Sequence, residues 1–357
     1  MFVIDCRSLQ DASKFRGIGT VIRNIIEHIP NKQKYGLLIE RGRGEIESYG
    51  IQVLEFSPPV AKQKYSEFLI EFLNQHRVKQ IHFMAQYNIP DQFNFPYSVT
   101  VHDLFNQYLL TNKEKYRQTL APLINKLKKA KLIIAISQYT KQAIQQELPS
   151  SKIQVIYNGF NSSISRDATL NLDLFKELSI KEPFILYMGN FEKRKNFIGA
   201  LEGFIEFSKR HPDYVMVACT GHAPLFLPPK VLWILLKHRK KIKKLSFIKS
   251  TQLANLYKKA TALLFPSYAE GFGLPILEAM SVDTPSVISN TTALPEVGKN
   301  AVVYVNPAEP LEIAAGLESI ILDPKLQDEM RLKMPKVLES FDVKSKAAEY
   351  DCAFNLA

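Results

Sequence analysis

The length, composition and charge of the chain indicate a globular protein that favours anionic partners. It has 357 residues, of which 46% are hydrophobic and 23% charged, an ordinary globular composition with length enough for two substantial cores. No apolar run approaches the length that spans a bilayer, and Asp5 and Arg7 interrupt the start where a signal peptide would lie. The formal net charge is +11, which favours nucleic acid, an anionic membrane face or phosphorylated substrates.

The cysteine usage predicts the compartment. Cys6, Cys219 and Cys352 stand far apart and form no metal-binding or redox spacing. The expected location is therefore a reducing cytoplasm, with the protein either soluble or peripheral on the inner face of the membrane.

Strands and helices alternate through the first half of the chain. Seven strands are predicted, from MFVIDC, YGLLIE, IQVLEF, VKQIHFMA, YSVTVHDL, KLIIAIS and KIQVIYNG. Helical stripes occur in TVIRNIIEHI and in KYSEFLIEFLNQHRV, where Tyr65, Phe68, Leu69, Phe72 and Leu73 are expected to pack in the core. The segment 161–182 breaks the alternation and is predicted to be a linker.

A second alternating series follows this linker. Six strands are predicted, from PFILYMGN, YVMVACTG, KLSFI, ALLFP, PSVIS and AVVYV, and the chain finishes in helices. Strands that alternate with helices form parallel sheets with helices on both faces. The predicted fold class is therefore α/β, with two doubly wound parallel-sheet domains facing each other across a cleft. The domains are expected at 1–165, completed by a C-terminal helix at 342–357, and at 182–341.

A glycine loop joins one strand of the second series to a helix. In SYAEGFGLPILEAM, residues 267–280, Gly271 and Gly273 form the loop, and Pro275 suits the first helical position. Strand, glycine loop and helix N-terminus together present free N–H groups and a positive dipole end to a phosphate. Glu270 and Glu278 flank the loop on either side. A plain turn explains these residues alone equally well.

Several sequence segments in both halves, which follow one another in the right order, resemble those of the retaining glycosyltransferases of family 4, also called glycosyl transferases group 1. The resemblance is strongest from Phe184 to Pro307, and the matching segments of this half are YMGNFEKRKN, CTG, LANLYKKATALLFPSYAEGFGLPILEAMSVDTPSVIS, ALPEV and VNPAE. Looser matches precede it, in GIG, VHDL, AISQYTKQAI and VIYNGF. The resemblance implies a GT-B fold and retaining transfer of a hexose of the mannose, rhamnose or glucose type. The implied donor is a nucleoside-diphosphate sugar, and the acceptor a glycan or a lipid-linked molecule in surface polysaccharide or glycolipid synthesis.

The family pattern Glu-x7-Glu falls on Glu270 and Glu278. In similar enzymes the second glutamate accepts hydrogen bonds from the ribose hydroxyls, which implies that role for Glu278. The first lies by the transferred sugar, so the resemblance implies that Glu270 binds sugar hydroxyls and stabilises positive charge on the ring. The loop itself is expected to hold the sugar and diphosphate, through Gly271, Phe272, Gly273 and Leu274.

The segment FEKRKN supplies cations after the first strand of the second series. Lys195 matches the family lysine that neutralises the leaving diphosphate, where a fixed cation contributes most to the rate. Many relatives carry an arginine directly after the strand glycine, where this chain has Asn190. Arg194 is the candidate replacement, so Asn190 and Arg194 are both assigned to the donor site. For the Lys-Arg-Lys run alone, a solvated basic turn is the usual interpretation.

Two motifs of the first half are assigned to the sugar or the acceptor. In VHDL, the resemblance implies that His102 hydrogen-bonds the sugar or acceptor, with Asp103 as its orienting partner; a structural histidine is the alternative. In RGIG, Gly17 and Gly19 lie between the first strand and a helix and predict a phosphate or acceptor loop. A tight turn is an equal alternative for this weak motif.

No metal or cofactor is expected. The chain contains no Asp-x-Asp pair, which a metal-dependent glycosyltransferase would use to hold a divalent cation on the diphosphate. A helix N-terminus and a lysine can hold the diphosphate charge instead. GDP-mannose, UDP-sugars and dTDP-rhamnose all fit as donors, with the base recognised by backbone groups near Phe247 to Lys249.

Two basic segments suggest contact with an anionic membrane. They lie at 237–244, within KVLWILLKHRKKIKKLSFIK, and at 125–132, in NKLKKAKL. Contact with lipid would suit a lipid-linked acceptor, and Trp233 is either an interface anchor or a core residue. The alternative for each segment is a solvated helix end.

Two other functions compete with glycosyl transfer. A nucleotide-sugar epimerase shares the two-domain scaffold, but the Glu-x7-Glu segment argues against it. A basic nucleic-acid-binding protein would need aromatic and basic residues interleaved on a strand, or a known recognition module. Neither is present in the sequence, so nucleic acid is not an expected partner.

Overall fold

The computed structural model divides the chain into two compact units. The first consists of Met1–Asn161 and Phe341–Ala357, and the second of Ser162–Ser340. The residues that the structure describes are 1–15, 17–104, 113–161, 173–177, 179–180, 183–221, 227–246, 248 and 250–356. Most of the predicted linker at 161–182 lies outside these ranges.

The first unit contains a seven-stranded sheet in which every pairing is parallel. Its strand order is β3-β2-β1-β4-β5-β6-β7. The strands are β1 (Phe2–Asp5), β2 (Tyr35–Glu40), β3 (Gln52–Phe56), β4 (Gln80–Phe83), β5 (Tyr97–Val101), β6 (Ile133–Ala135) and β7 (Ile153–Val155). All seven predicted strands are confirmed. Their near-continuous apolar sequences are explained by the parallel sheet, which is covered on both faces.

Four helices in the described ranges of the first unit connect these strands. They are α1 (Gly17–His28), α2 (Tyr65–Gln75), α3 (Lys113–Leu127) and α4 (Gln138–Glu147). In α2 the buried stripe is narrower than predicted, because Leu69 and Leu73 are fully buried while Phe68 is exposed. A helix on the outside of a sheet buries one side only, and Phe68 lies beyond the edge of that side.

The second unit contains a six-stranded parallel sheet of order β10-β9-β8-β11-β12-β13. Its strands are β8 (Phe184–Met188), β9 (Val215–Cys219), β10 (Ile242–Leu245), β11 (Ala262–Phe265), β12 (Ser286–Ser289) and β13 (Val303–Val305). The six predicted strands are present, but the one expected in KLSFI begins two residues earlier, at Ile242. This edge strand buries Ile242 and Leu245 and leaves Lys243 and Lys244 partly exposed, as suits a strand with one paired side.

Eight helices of the second unit lie in the described ranges. They are α5 (Asp173–Glu177), α6 (Phe197–Arg210), α7 (Pro229–Lys237), α8 (Ser250–Lys259), α9 (Leu274–Met280), α10 (Leu294–Gly298), α11 (Pro310–Leu322) and α12 (Pro324–Glu339). The short helix α5 falls within the segment that the sequence predicts to be a linker. No described helix combines the length and the hydropathy that crossing a membrane would take.

The last helix, α13 (Val343–Leu356), packs on the first sheet. The ring of Phe354 stacks on Phe2 with centroids 4.6 Å apart, and the Tyr350 hydroxyl lies 3.2 Å from Thr100 Oγ1. Asp351 accepts a hydrogen bond from the Tyr35 hydroxyl. The C-terminal segment thereby supplies apolar and polar contacts to β1, β2 and β5.

Candidate active site

Two loops meet at the carboxyl edge of the second sheet. One follows β8 and the other follows β11, its neighbour in the sheet. Since the carboxyl ends of adjacent parallel strands share one edge, polar residues on these loops come together there. The backbone N–H of Tyr268 donates to the carbonyl of Arg194 at 2.7 Å, which ties the loops directly.

A buried carboxylate and two cations form the centre of this edge. Lys195 Nζ lies 2.6 Å from Glu270 Oε1, and Arg194 Nη1 lies 3.1 Å from Glu270 Oε2. Glu270 is only 6% exposed, and its backbone N–H donates to Thr292 Oγ1 at 3.1 Å. Each carboxylate oxygen therefore has its own cation. The structure brings together three residues that the sequence assigned to one site.

Glu192 links the remaining donor-site residue to this cluster. Its carboxylate lies 2.7 Å from Arg194 Nε and accepts a hydrogen bond from Asn190 Nδ2 at 2.5 Å. Burial acts to raise the pKa of Glu192, but the bonds from Asn190 and Arg194 outweigh it and the pKa is lowered. The side chain of Asn190 is thus bonded within its own loop. Sequence reasoning missed Glu192.

Asn196 fixes the position of Lys195. It adopts a left-handed backbone conformation with φ of 52° and accepts a hydrogen bond from Gly199 N–H at the start of α6. Its amide nitrogen donates to the carbonyls of Pro266 and Pro307 at 2.9 and 2.6 Å. One buried side chain therefore caps a helix and joins the two loops. The position of an asparagine before a helical stripe is the sequence signal that could have identified it.

The glycine loop leads into α9, which begins at Leu274, one residue before the predicted start. Gly273 has φ of +124°, and a Cβ there would meet Leu294 Cδ2 at 2.8 Å, so only glycine fits. In the described part of the chain, the backbone N–H groups of Gly271, Gly273 and Leu274 make no hydrogen bond. N–H groups in such a loop and at the start of a helix have no intrahelical partner and suit a bound anion.

Glu278 lies one turn along α9. The hydroxyl of Tyr257, a fully buried residue of α8, donates to Glu278 Oε2 at 2.7 Å. Burial raises the pKa of Glu278, and the Tyr257 hydrogen bond partly offsets that rise. Oε1 has no partner among the described residues. Sequence reasoning missed Tyr257, since no sequence pattern pairs residues twenty-one positions apart.

His102 lies at the carboxyl end of β5, in the first unit. Its Nε2 donates to the Met84 carbonyl at 2.8 Å, so the hydrogen is on Nε2 and Nδ1 is an acceptor. Burial lowers the pKa of His102 to about 4, although the bond to Met84 opposes the shift. The expected orienting partner was wrong. Asp103 instead accepts a hydrogen bond from the Tyr87 hydroxyl at 3.3 Å.

The glycines of RGIG lie in a different setting from the one predicted. Gly17 and Gly19 belong to the first turn of α1 and not to a loop, and Arg16 lies outside the described residues. A Cβ on Gly19 would come within 2.6 Å of the Lys14 Cα and the Ser13 carbonyl oxygen. Glycine at position 19 is therefore explained by the close approach of the chain to itself.

Two further predictions stay open. Phe247 and Lys249, assigned to base recognition, lie outside the described residues. Among the residues that the structure describes, no three His, Cys, Asp or Glu side chains are grouped so that they could hold a metal ion. Metal independence stays a prediction.

Family models match both halves of the chain. A model of glycosyl transferases group 1 matches residues 172–336, and a model of glycosyltransferase family 4 matches residues 15–163. The chain is 30% identical over 222 residues to the O-antigen chain mannosyltransferase B of Escherichia coli, which covers 59% of this chain and 57% of that protein. It spans between 51% and 60% of the length of three curated relatives that it matches.

Solved structures agree in fold over nearly the whole chain. Sucrose-phosphate synthase from Thermosynechococcus elongatus superposes with a TM-score of 0.78 at 17% identity, covering 99% of this chain and 98% of that one. The Anabaena protein Alr3699/HepE in complex with UDP-glucose superposes with a TM-score of 0.76 at 19% identity, covering 99% of both chains. The two matched family models together extend from residue 15 to residue 336. The chain belongs to the group 1, family 4 glycosyltransferases, and its fold is GT-B.

Proposed function

We propose that the protein transfers a hexose, with retention of anomeric configuration, from a nucleoside-diphosphate sugar to a glycan or lipid-linked acceptor. The observation that carries this proposal is the buried Glu270 carboxylate held by Lys195 and Arg194. Beside it lies a glycine loop with open backbone N–H groups. Paired cations and open N–H groups suit a diphosphate, and a buried carboxylate among them suits the sugar that the diphosphate carries.

Lys195, Arg194 and the loop N–H groups would stabilise the leaving diphosphate. Negative charge grows on the diphosphate as its bond to the sugar breaks, so groups already aimed at it lower the barrier. Both cationic side chains are largely buried, at 17% and 19% exposure, where charge interactions are weakened less by solvent than on the surface. In this proposal these groups hold the charge without a metal ion.

Glu270 would face the sugar. Its carboxylate oxygens can accept hydrogen bonds from sugar hydroxyls, and its negative charge would stabilise positive charge developing on the ring. Before the donor arrives, the same carboxylate holds Lys195 and Arg194 in place. The diphosphate then shares these cations with Glu270, so little rearrangement is needed on binding.

Glu278 would bind the ribose. The Tyr257 hydroxyl bonds one carboxylate oxygen and fixes the orientation of the group. The other oxygen accepts from the ribose hydroxyls, and α9 keeps the carboxylate at a constant distance from the glycine loop.

Retention follows if the leaving diphosphate itself takes the acceptor proton on the face from which it departs. The protein then supplies position and electrostatic stabilisation and no dedicated base. A neutral His102, with Nδ1 as an acceptor, can receive a hydrogen bond from a sugar or acceptor hydroxyl. The relation to an O-antigen chain mannosyltransferase favours a mannose donor and surface polysaccharide as the product.

A ligand screen followed by product analysis tests the proposal. Thermal shifts with GDP-mannose, UDP-glucose and dTDP-rhamnose should identify a stabilising donor, because a ligand that binds only the native state raises its stability. Transfer from that donor should give a product with the anomeric configuration of the donor, read from NMR couplings. Absence of stabilisation by every nucleotide sugar, or an inverted product, would contradict the proposal.

A further inference from the structure

We propose that helix α7 and the basic residues after it dock the second unit on an anionic lipid bilayer. This inference adds a partner to the proposed function, and it rests on that function for its purpose, which is access to a lipid-linked acceptor. Three observations carry it: an exposed apolar helix face, the charge beside that face, and the different setting of the other basic segment.

The apolar face is formed by three large side chains of α7. Leu232, Trp233 and Leu236 are 48%, 58% and 63% exposed, whereas Val231 and Ile234 on the opposite side are buried against the unit. We call these three residues the outer face of α7. Their spacing places them together on one side of the helix. Single exposed leucines are common, but a contiguous apolar group containing a tryptophan indicates a contact surface.

The segment that contains the outer face carries charge of one sign, and the acidic residue beside α7 is Glu202 of α6, which pairs with Lys230 at 2.6 Å. Residues 214–269 contain ten lysines or arginines and no aspartate or glutamate. For comparison, the net charge of the whole chain is +11. Lys237, Arg239 and Lys240 follow α7 directly and are exposed. Lys237 Nζ lies 4.6 Å from the centroid of the Trp233 ring, so cation and apolar surface adjoin.

This combination favours a bilayer over other anionic partners. Amphipathic helices that lie in the membrane interface bury tryptophan and leucine at the acyl boundary while lysine and arginine bind anionic headgroups. A free phosphate or nucleotide would leave the outer face in water. A second copy placed on this face would bring two patches of the same sign together, which disfavours association.

The basic segment at 125–132 lacks these features. Lys126 forms an ion pair with Asp91 at 2.7 Å and donates to the Ile89 carbonyl at 2.8 Å. The leucines of the segment, Leu127 and Leu132, are buried. The sequence left both basic segments as membrane candidates, and the structure favours the one beside α7.

Trp233 provides a direct readout, because it is the single tryptophan of the chain. The full-length protein is sedimented with vesicles of phosphatidylcholine alone or mixed with phosphatidylglycerol, at low salt and at physiological salt. We expect binding only with phosphatidylglycerol, weakening as salt rises. Binding should shift the tryptophan emission to shorter wavelength, and brominated lipid should quench it.

Paired variants separate the apolar from the electrostatic contribution. Arg239→Gln with Lys240→Gln should weaken vesicle binding about thirtyfold, the factor for two basic residues at about 1 kcal/mol each. Leu232→Ser with Leu236→Ser should abolish the emission shift. The controls are Leu332→Ser, which changes a leucine of α12 that is 81% exposed, and Lys126→Gln with Lys129→Gln. Both should leave binding within twofold.

The outcomes distinguish this inference from the proposed function. Nucleotide binding and transfer to a soluble acceptor analogue should be unchanged in all these variants, so loss of docking alone leaves the proposed function standing. Three results would overturn the inference: no binding to anionic vesicles at low salt, binding without an emission shift, or equal loss in the control variants. A change from dimer to monomer in the Leu232/Leu236 variant, without vesicle binding by the native chain, would assign the face to self-association instead.

Discussion

Lys195 Nζ lies 2.6 Å from Glu270 Oε1, so the loop after β8 and the loop after β11 are joined by an ion pair at the centre of the candidate site. Arg194 makes the corresponding contact with the other carboxylate oxygen. The cations proposed to hold a diphosphate are thus already ordered by the carboxylate proposed to face the sugar. Substitutions at the two ends of this pair should therefore have different effects.

Lys195→Ala should lower kcat about a hundredfold or more while changing donor affinity much less. The reason is that its cation acts mainly on charge that develops in the transition state. Lys193→Ala is the matched control, since Lys193 stands two positions earlier in the same turn and is exposed. Steady-state kinetics measure kcat and KM, and calorimetry with the nucleoside diphosphate measures the binding affinity. An effect limited to KM would remove Lys195 from the leaving-group role.

Glu270→Gln should reduce kcat by a similar factor without weakening the binding of the nucleoside diphosphate. The neutral amide no longer competes with the diphosphate for Lys195 and Arg194, so the affinity for the free diphosphate should stay equal or rise. The affinity for the intact donor, which carries the sugar, should rise less than the affinity for the free diphosphate. Calorimetry on the wild type and the variant tests this difference. A large loss of diphosphate affinity would mean that the carboxylate orders the cations more than it competes for them.

The fold and the composition of the site follow from different kinds of information. Apolar runs separated by helical stripes suffice to predict thirteen parallel strands, because a buried parallel strand is apolar on both faces. The edge strand β10 was misplaced because its lysines hide the pattern. Glu270, Lys195 and Glu278 stand in recognisable motifs. Tyr257 and Glu192 do not, since their roles depend on contacts that only the folded chain creates.

Glu278→Ala should weaken nucleotide binding by about 1–3 kcal/mol, the range for a lost hydrogen bond to a charged group. The fold should survive, because the substitution leaves the buried apolar residues of α9 unchanged. Tyr257→Phe is the companion variant. It keeps the carboxylate of Glu278 but removes its hydrogen-bond partner, so it should reduce the nucleotide affinity by less than Glu278→Ala does. Unchanged nucleotide affinity in Glu278→Ala would exclude the ribose role.

Glu278→Gln should raise the thermal stability at neutral pH. Burial raises the pKa of Glu278 in the folded state, so the folded chain favours the protonated form more than the unfolded chain does. The associated stability is present below the unfolded pKa and is lost as pH rises through the folded pKa. The neutral glutamine avoids that loss. The difference in Tm should therefore be positive at pH 7 and shrink toward pH 4; a variant less stable at both pH values would contradict this.

Chelation tests the prediction of metal independence. If Lys195, Arg194 and the loop before α9 hold the diphosphate charge, activity should survive an excess of EDTA. The assay should use protein dialysed against chelator, with magnesium and manganese added back in separate arms. Lost turnover that either ion restores would show that this account of the charge is wrong.

Two buried histidines should make the first unit sensitive to acid. Burial lowers the pKa of His82 to about 3 and that of His102 to about 4, against about 6.5 in an unfolded chain. The folded state binds fewer protons than the unfolded state in this window, so stability present above pH 6.5 is lost as pH falls toward 4.

At about 1.4 kcal/mol per pKa unit, each histidine should cost about 3 kcal/mol of unfolding free energy by pH 4. His82→Gln tests this prediction because the ring of His82 hydrogen-bonds only Ser98 and Thr100 within the described part of the chain, each at 2.8 Å, and the proposed function assigns it no role. The variant should be less stable at pH 7, since the ring also packs against Phe354, but its unfolding free energy should fall less steeply between pH 6.5 and 4.5. Denaturant unfolding of the wild type and the variant at four pH values gives the slope of the unfolding free energy against pH for each protein. Equal slopes for the variant and the wild type would show that His82 takes up its proton without unfolding the unit.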